Sequence, residues 1–92
     1  MAVIEIETFR LRAGADPAAF GDADAVVQTE VAYRQPGLLR RTTAAGDDGR
    51  WIVITLWATA AHADAAASPL DDLAAFVDGD TIETSRYAPF NR

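Results

Sequence analysis

Glu7 lies in the run Val3-Ile4-Glu5-Ile6-Glu7-Thr8-Phe9, where the two-residue alternation of a strand puts it on one face with Val3, Glu5, Phe9 and Leu11. A carboxylate among apolar neighbours is costly unless it is paired or faces a wet cavity. Glu7 is therefore either a pocket acid or base, or half of an ion pair with Arg40 or Arg41. Asp24 poses a similar question, because at about 100° per residue it falls in the helical arc of Phe20, Val27 and Val31, with Gln28 one turn later. Either a cavity separates this helix from what it packs on, or Asp24 is paired, or the helix is rotated so that Asp24 lies at the boundary. Val26 widens the apolar arc on its other side and favours the boundary. Trp57 shares a strand face with Trp51, Val53 and Thr55, and serves either as core or as the wall of an aromatic site. Tyr87 is a packing residue or reaches a cavity mouth from an edge strand.

Metal, thiol and phosphate chemistry find little support. His62 is the only histidine and there is no cysteine, so a transition-metal site would need carboxylates such as Asp64, and no ligand spacing supports one. A histidine alone near a helix N-terminus is usually inert. Asp71-Asp72 and Asp78-Gly79-Asp80 fit caps and turns better than a calcium loop. No glycine-rich phosphate loop or triad spacing appears.

The elements that must position these residues follow from patterning. Val3 to Leu11 reads as a first strand, ended by Ala13-Gly14. Asp16-Pro17 is a cap with proline at the first helical position, opening a helix of about four turns that stops before Gln35-Pro36-Gly37. Leu38 to Thr43 and Trp51 to Ala58 form a hairpin about the turn residues Gly46-Asp47-Asp48-Gly49. Thr59 caps a second helix through the alanines to Ala67, and Ser68 with Asp71 opens a further helical segment from Pro69 through Val77, ended by Asp78-Gly79-Asp80. Thr81 to Tyr87 is the last strand, and residues 88–92 form a tail.

Strand, helix, strand, strand, helix, strand is the ferredoxin-like βαββαβ order, an α+β fold with a four-stranded antiparallel sheet, helices on one face, and the first and third strands in the middle. The third strand, Trp51-Ile52-Val53-Ile54-Thr55-Leu56-Trp57, is apolar on both faces, whereas a sheet with one wet face alternates. The helices cover one face only, so the other is expected to meet a partner's sheet in a homodimer.

Composition narrows the partners. Ninety-two residues with 50% hydrophobic side chains suit one domain over residues 1–92. A formal charge of −6 repels phosphate backbones and anionic headgroups, so neither nucleic acid nor membrane is expected as a partner. With no cysteine and charge at Glu5 and Glu7 where a signal peptide needs an apolar stretch, the expected location is the cytoplasm.

The stretches Phe9-Arg10-Leu11-Arg12-Ala13-Gly14, Pro36-Gly37-Leu38-Leu39 and Ile52-Val53-Ile54-Thr55-Leu56-Trp57, the last followed by an alanine-rich helix, resemble the antibiotic biosynthesis monooxygenase-like family of the dimeric α/β-barrel superfamily. The resemblance implies a ligand cavity between the sheet and the helices of one subunit, a dimer where the sheets meet, and Trp57 turned toward the helices. Its members include cofactor-free oxygenases of aromatic polyketides and haem degraders. Glu7 falls where the haem degraders place a pocket asparagine, and His62 does not match the position of their haem-ligating histidine. No cofactor is therefore expected.

Two functions compete. The first is a cofactor-independent monooxygenase-like enzyme for a small aromatic or polyketide-like molecule. In it Glu7 takes a proton, Trp57 and Phe20 hold the ring, Asp24 lies beside the ligand, and Gln28 or Tyr87 binds a developing oxyanion. The second is a ligand-binding or structural dimer without turnover.

Overall fold

The computed structural model describes residues 1–91, with Pro69 described by its backbone alone. Four strands and two helices alternate as expected: β1 (Val3–Leu11), α1 (Pro17–Glu30), β2 (Leu38–Ala45), β3 (Arg50–Trp57), α2 (Ala60–Ala65) and β4 (Val77–Tyr87). The strands form one antiparallel sheet in the order β2-β3-β1-β4, which puts β1 and β3 in the middle.

Local chemistry accounts for the helix starts. The Asp16 carboxylate accepts from Ala18 N at 3.1 Å, satisfying one of the free N–H groups of the first turn, and Pro17 supplies the preset φ of the first helical position. Thr59 caps α2 by accepting from His62 N at 3.1 Å. After α1 the chain tightens into a 3-10 turn, Ala32–Arg34, and reverses at Gly37, whose φ of +79° favours glycine. A side chain there would also collide with His62, since a Cβ on Gly37 would lie 2.2 Å from the His62 Cγ.

The second half departs from the sequence expectation. The alanine helix ends at Ala65, and Ser68, standing before a proline, is extended at φ −66° and ψ 127°. The segment expected to be helical through Val77 is a 3-10 helix over Pro69–Leu73 only, and Val77 already belongs to β4. The expected turn Asp78-Gly79-Asp80 lies inside that strand, at an irregularity where the β1–β4 register shifts between Thr8 and Arg10. The Thr81 hydroxyl completes the interrupted ladder, accepting from Arg10 N at 2.8 Å and donating to Asp78 O at 2.7 Å.

Both helices and the 3-10 segment lie on one face of the sheet. The core there joins Phe9, Val53 and Val77 of the strands to Phe20 and Val27 of α1 and to Leu70 and Leu73. Phe20 meets Phe9, Trp51 and Phe76 edge-on, with ring centroids 5.8, 4.9 and 6.0 Å apart. The opposite face follows from register. Ile4 pairs with Leu56, Ile6 with Ile54 and Thr8 with Ile52, giving an apolar surface of which Ile54 is 38% exposed. Among the described residues no helix is long and apolar enough to cross a membrane.

Candidate functional site

The central position of β1 carries Glu7 between Val53 of β3 and Thr84 of β4, on the helix-bearing face. Only 7% of Glu7 is exposed. Its described polar partner is Ser68, whose hydroxyl donates to Glu7 Oε2 at 3.3 Å. Burial pushes the Glu7 carboxyl above its ordinary range and the neighbouring Glu5 pushes the same way; the Ser68 hydrogen bond and Arg41 pull it down, and Asp71 adds a smaller upward push. A buried carboxyl held by one neutral hydroxyl becomes a stronger base when ionised, because little stabilises its charge.

Two clefts meet at the Glu7–Ser68 pair. One, of about 400 Å³, runs between the 3-10 segment and β4, with Leu70, Val77 and Ile82 as its apolar wall and Arg12 and Asp71 as its other charged groups. The other, of about 300 Å³, lies under α2, with Trp57, Ala63 and Thr84 inside and the charged residues Glu5, Asp64 and Arg86. Arg86 joins the two carboxylates: its Nε donates to Glu5 at 3.0 Å and its Nη1 to Asp64. Trp57 is 2% exposed and faces the helices, and its buried Nε1–H has no partner among the described residues. An unpaired buried indole donor beside a cleft is a group a ligand oxygen could satisfy.

The other nominated residues are not brought to Glu7. Phe20 is fully buried among Phe9, Trp51 and Phe76 in the core and lines none of the described clefts. Tyr87 pairs with Ile4 and is 56% exposed on the opposite face of the sheet. Asp24 and Gln28 sit over β2 instead. Asp24 is buried, not at the boundary, because the guanidinium of Arg41 reaches up from the sheet to meet it: Nη2 lies 2.7 Å from Asp24 Oδ1 and Nη1 lies 3.0 Å from Gln28 Oε1. The Tyr33 hydroxyl locks the same strand position, donating to Arg41 O at 3.2 Å and accepting from Arg41 N at 3.3 Å. A separate groove of about 420 Å³ opens over this cluster.

Two expectations about pairing are corrected by this geometry. The partner of Arg41 is Asp24, and Glu7 has no arginine partner among the described ion pairs. Arg40 is exposed and turns to the groove beside α1, away from Glu7. The clefts that reach Glu7 lie toward α2 and the 3-10 segment, while α1 packs down through Phe20, Val27 and the Asp24–Arg41 bond. Ser68 was legible only as a cap and Arg12 only as part of the Phe9–Gly14 stretch, since neither shares a repeat or motif with Glu7. Among the described residues no cluster of His, Cys, Asp or Glu could hold a metal ion.

No family model matches the sequence, and no curated protein matches it. Solved structures do. SnoaB from Streptomyces nogalater, a cofactor-independent oxygenase, superposes with a TM-score of 0.74 at 21% identity, covering 99% of this chain and 95% of its own. Rv0793 from Mycobacterium tuberculosis gives 0.75 at 16% identity, covering 100% of this chain and 98% of its own. A candidate antibiotic biosynthesis monooxygenase from Nitrosomonas europaea gives 0.76 at 18% identity, with 97% and 90% covered. At these identities the likeness speaks for the fold: the chain has the ferredoxin-like fold of the antibiotic biosynthesis monooxygenase-like proteins.

Proposed function

We propose that this chain is a cofactor-independent monooxygenase-like enzyme acting on a small aromatic or polyketide-like molecule bound beside Glu7. The observation that carries the reading is a buried carboxyl, poised by desolvation, at the meeting point of two clefts of about 400 and 300 Å³. Volumes of that order suit small ligands. Likeness of fold to SnoaB supports the choice of chemistry.

Glu7 in its carboxylate form takes a proton from an activated C–H between aromatic rings, leaving a carbanion delocalised over the ring system. Dioxygen accepts one electron from it, and recombination of the two radicals forms a C–O bond. The peroxide takes the proton back from Glu7 to give a hydroperoxide. Loss of water then breaks the O–O bond and the second C–H, so that CH₂ and O₂ become C=O and H₂O. Trp57 lines the cleft under α2, and in this reading its unpartnered indole N–H donates to the oxygen on which charge collects. In the same reading one domain over residues 1–92 works as a cytoplasmic homodimer, joined through the apolar face of Ile4, Ile6, Ile54 and Leu56. A face of this kind is costly to leave in water.

The test is oxygen uptake by the purified protein with an anthrone as substrate, above the uncatalysed background, with chelator present and no flavin. Glu7→Gln keeps the volume and removes the base, and uptake should fall by about 10²-fold or more. Uptake unchanged in Glu7→Gln would refute the role of Glu7.

A further inference from the structure

The reading above leaves the charge of the ligand open, and the larger cleft restricts it. Its two ends differ. Glu7 and Ser68 stand at one end and Arg12, just beyond the end of β1, at the other; Leu70, Val77 and Ile82 form the apolar wall, and Asp71 also lines the cleft. Glu7 and Arg12 are five residues apart on a nearly extended chain, roughly 16 Å between Cα atoms at a strand rise of about 3.3 Å. The reach of both side chains shortens that gap to the length of a small fused-ring body.

Arg12 is held in an unusual way for this chain. The basic residues are all arginines, set against 14 acidic residues. Among the described residues Arg10, Arg34, Arg41, Arg50 and Arg86 each lie within 4.0 Å of a carboxylate; Arg40, exposed at the groove beside α1, and Arg12 do not. Arg12 instead has its main-chain N–H bonded to Phe76 O at 2.8 Å and its Nε to Ala74 O at 3.0 Å. Those two bonds fix the guanidinium against the chain that leads into β4. They consume one of its five donors and none of its charge, and among the described residues no carboxylate neutralises it. A guanidinium anchored through Nε presents its two terminal amino groups as a fork, the arrangement that suits a carboxylate.

We infer that Arg12 is a specificity-determining residue, and that the ligand of this cleft carries a carboxylate at the end of its ring system remote from the carbon that meets Glu7. This rests on the proposed aromatic site. An anionic group bound at Arg12 lies at the opposite end of the cleft from Glu7, which repels it, so the charge layout selects one orientation of the ligand as well as its class.

The test is equilibrium binding of two near-isosteric probes, 2-anthracenecarboxylate and the neutral 2-anthracenecarboxamide, followed by quenching of tryptophan fluorescence at low salt. The carboxylate should bind tenfold or more tighter than the amide. Arg12→Gln should abolish that preference while leaving the affinity of the amide unchanged, Arg12→Lys should keep part of it, and Arg86→Gln should keep all of it. Equal affinity of the two probes in the unaltered protein, or a preference that survives Arg12→Gln, overturns the inference and leaves the aromatic site standing. Absence of saturable binding for both probes overturns the site and the inference together.

Discussion

Replacing Asp24 by alanine separates a structural carboxylate from a ligand-binding one, and the structure sets the size of the effect. The Arg41 side chain is 0% exposed and that of Asp24 10%, with 2.7 Å between Nη2 and Oδ1. Removing one partner of a buried pair costs about 3–5 kcal/mol, because the remaining charge keeps its desolvation penalty and loses its compensation. Two features hold Asp24→Ala near the lower figure. Gln28 still accepts from Nη1, and the groove above the pair admits water to the stranded guanidinium. Alanine also returns about 0.5 kcal/mol in helix propensity. A net loss of about 3 kcal/mol follows, against a total stability of about 5–14 kcal/mol for a chain of this length. In urea denaturation with a slope near 1 kcal/mol per molar, the midpoint should fall by about 3 M at unchanged slope. The double change Asp24→Leu with Arg41→Met removes both charges and should return to within about 1 kcal/mol of the starting protein. A loss below about 1 kcal/mol in Asp24→Ala would refute the pairing argument.

Three further outcomes are expected. Glu7 has a raised folded-state pKa, so its protonated form contributes stability that is fully present below the unfolded value and is lost as pH rises through the folded one; unfolding free energy compared between the parent and Glu7→Gln should show the parent losing ground from acid to neutral pH, and parallel curves would contradict the desolvation argument. Gly37→Ala meets both a positive φ and the His62 ring, and should cost about 2 kcal/mol or more, seen as a fall in Tm of about 10 °C; His62→Ala in the same chain should recover the steric part and leave the backbone part. Light scattering at micromolar concentration should give twice the chain mass, and Ile54→Glu, which puts a charge in the middle of the open sheet face, should give a single chain of unchanged helix and strand content; a parent that is already a monomer would remove the sheet-face dimer.

Local patterning determined the order of elements and the boundaries of the first half. The alternation of Val3–Leu11, the Asp16-Pro17 cap and the Pro36-Gly37 stop act through near neighbours in sequence, and β1, α1 and the start of β2 stand where they indicate. The βαββαβ order likewise placed the first and third strands in the middle of the sheet, where β1 and β3 stand. Two things lay outside sequence reach because they depend on contacts far apart in the chain. Asp78-Gly79-Asp80 carries turn residues, yet it is drawn into β4 by a register shift and by a hydroxyl at Thr81 that bonds to Arg10, 71 residues away. The identity of charge partners is the other. Asp24 and Glu7 both read as carboxylates on apolar faces, and Arg41 was available to either. Tertiary packing decided between them: α1 crosses above β2 and brings Asp24 to Arg41, while Glu7, on the central strand, is left under Ser68 with a cleft on each side. A periodic pattern names the face a side chain occupies; only the packed elements determine which group from another element stands opposite it.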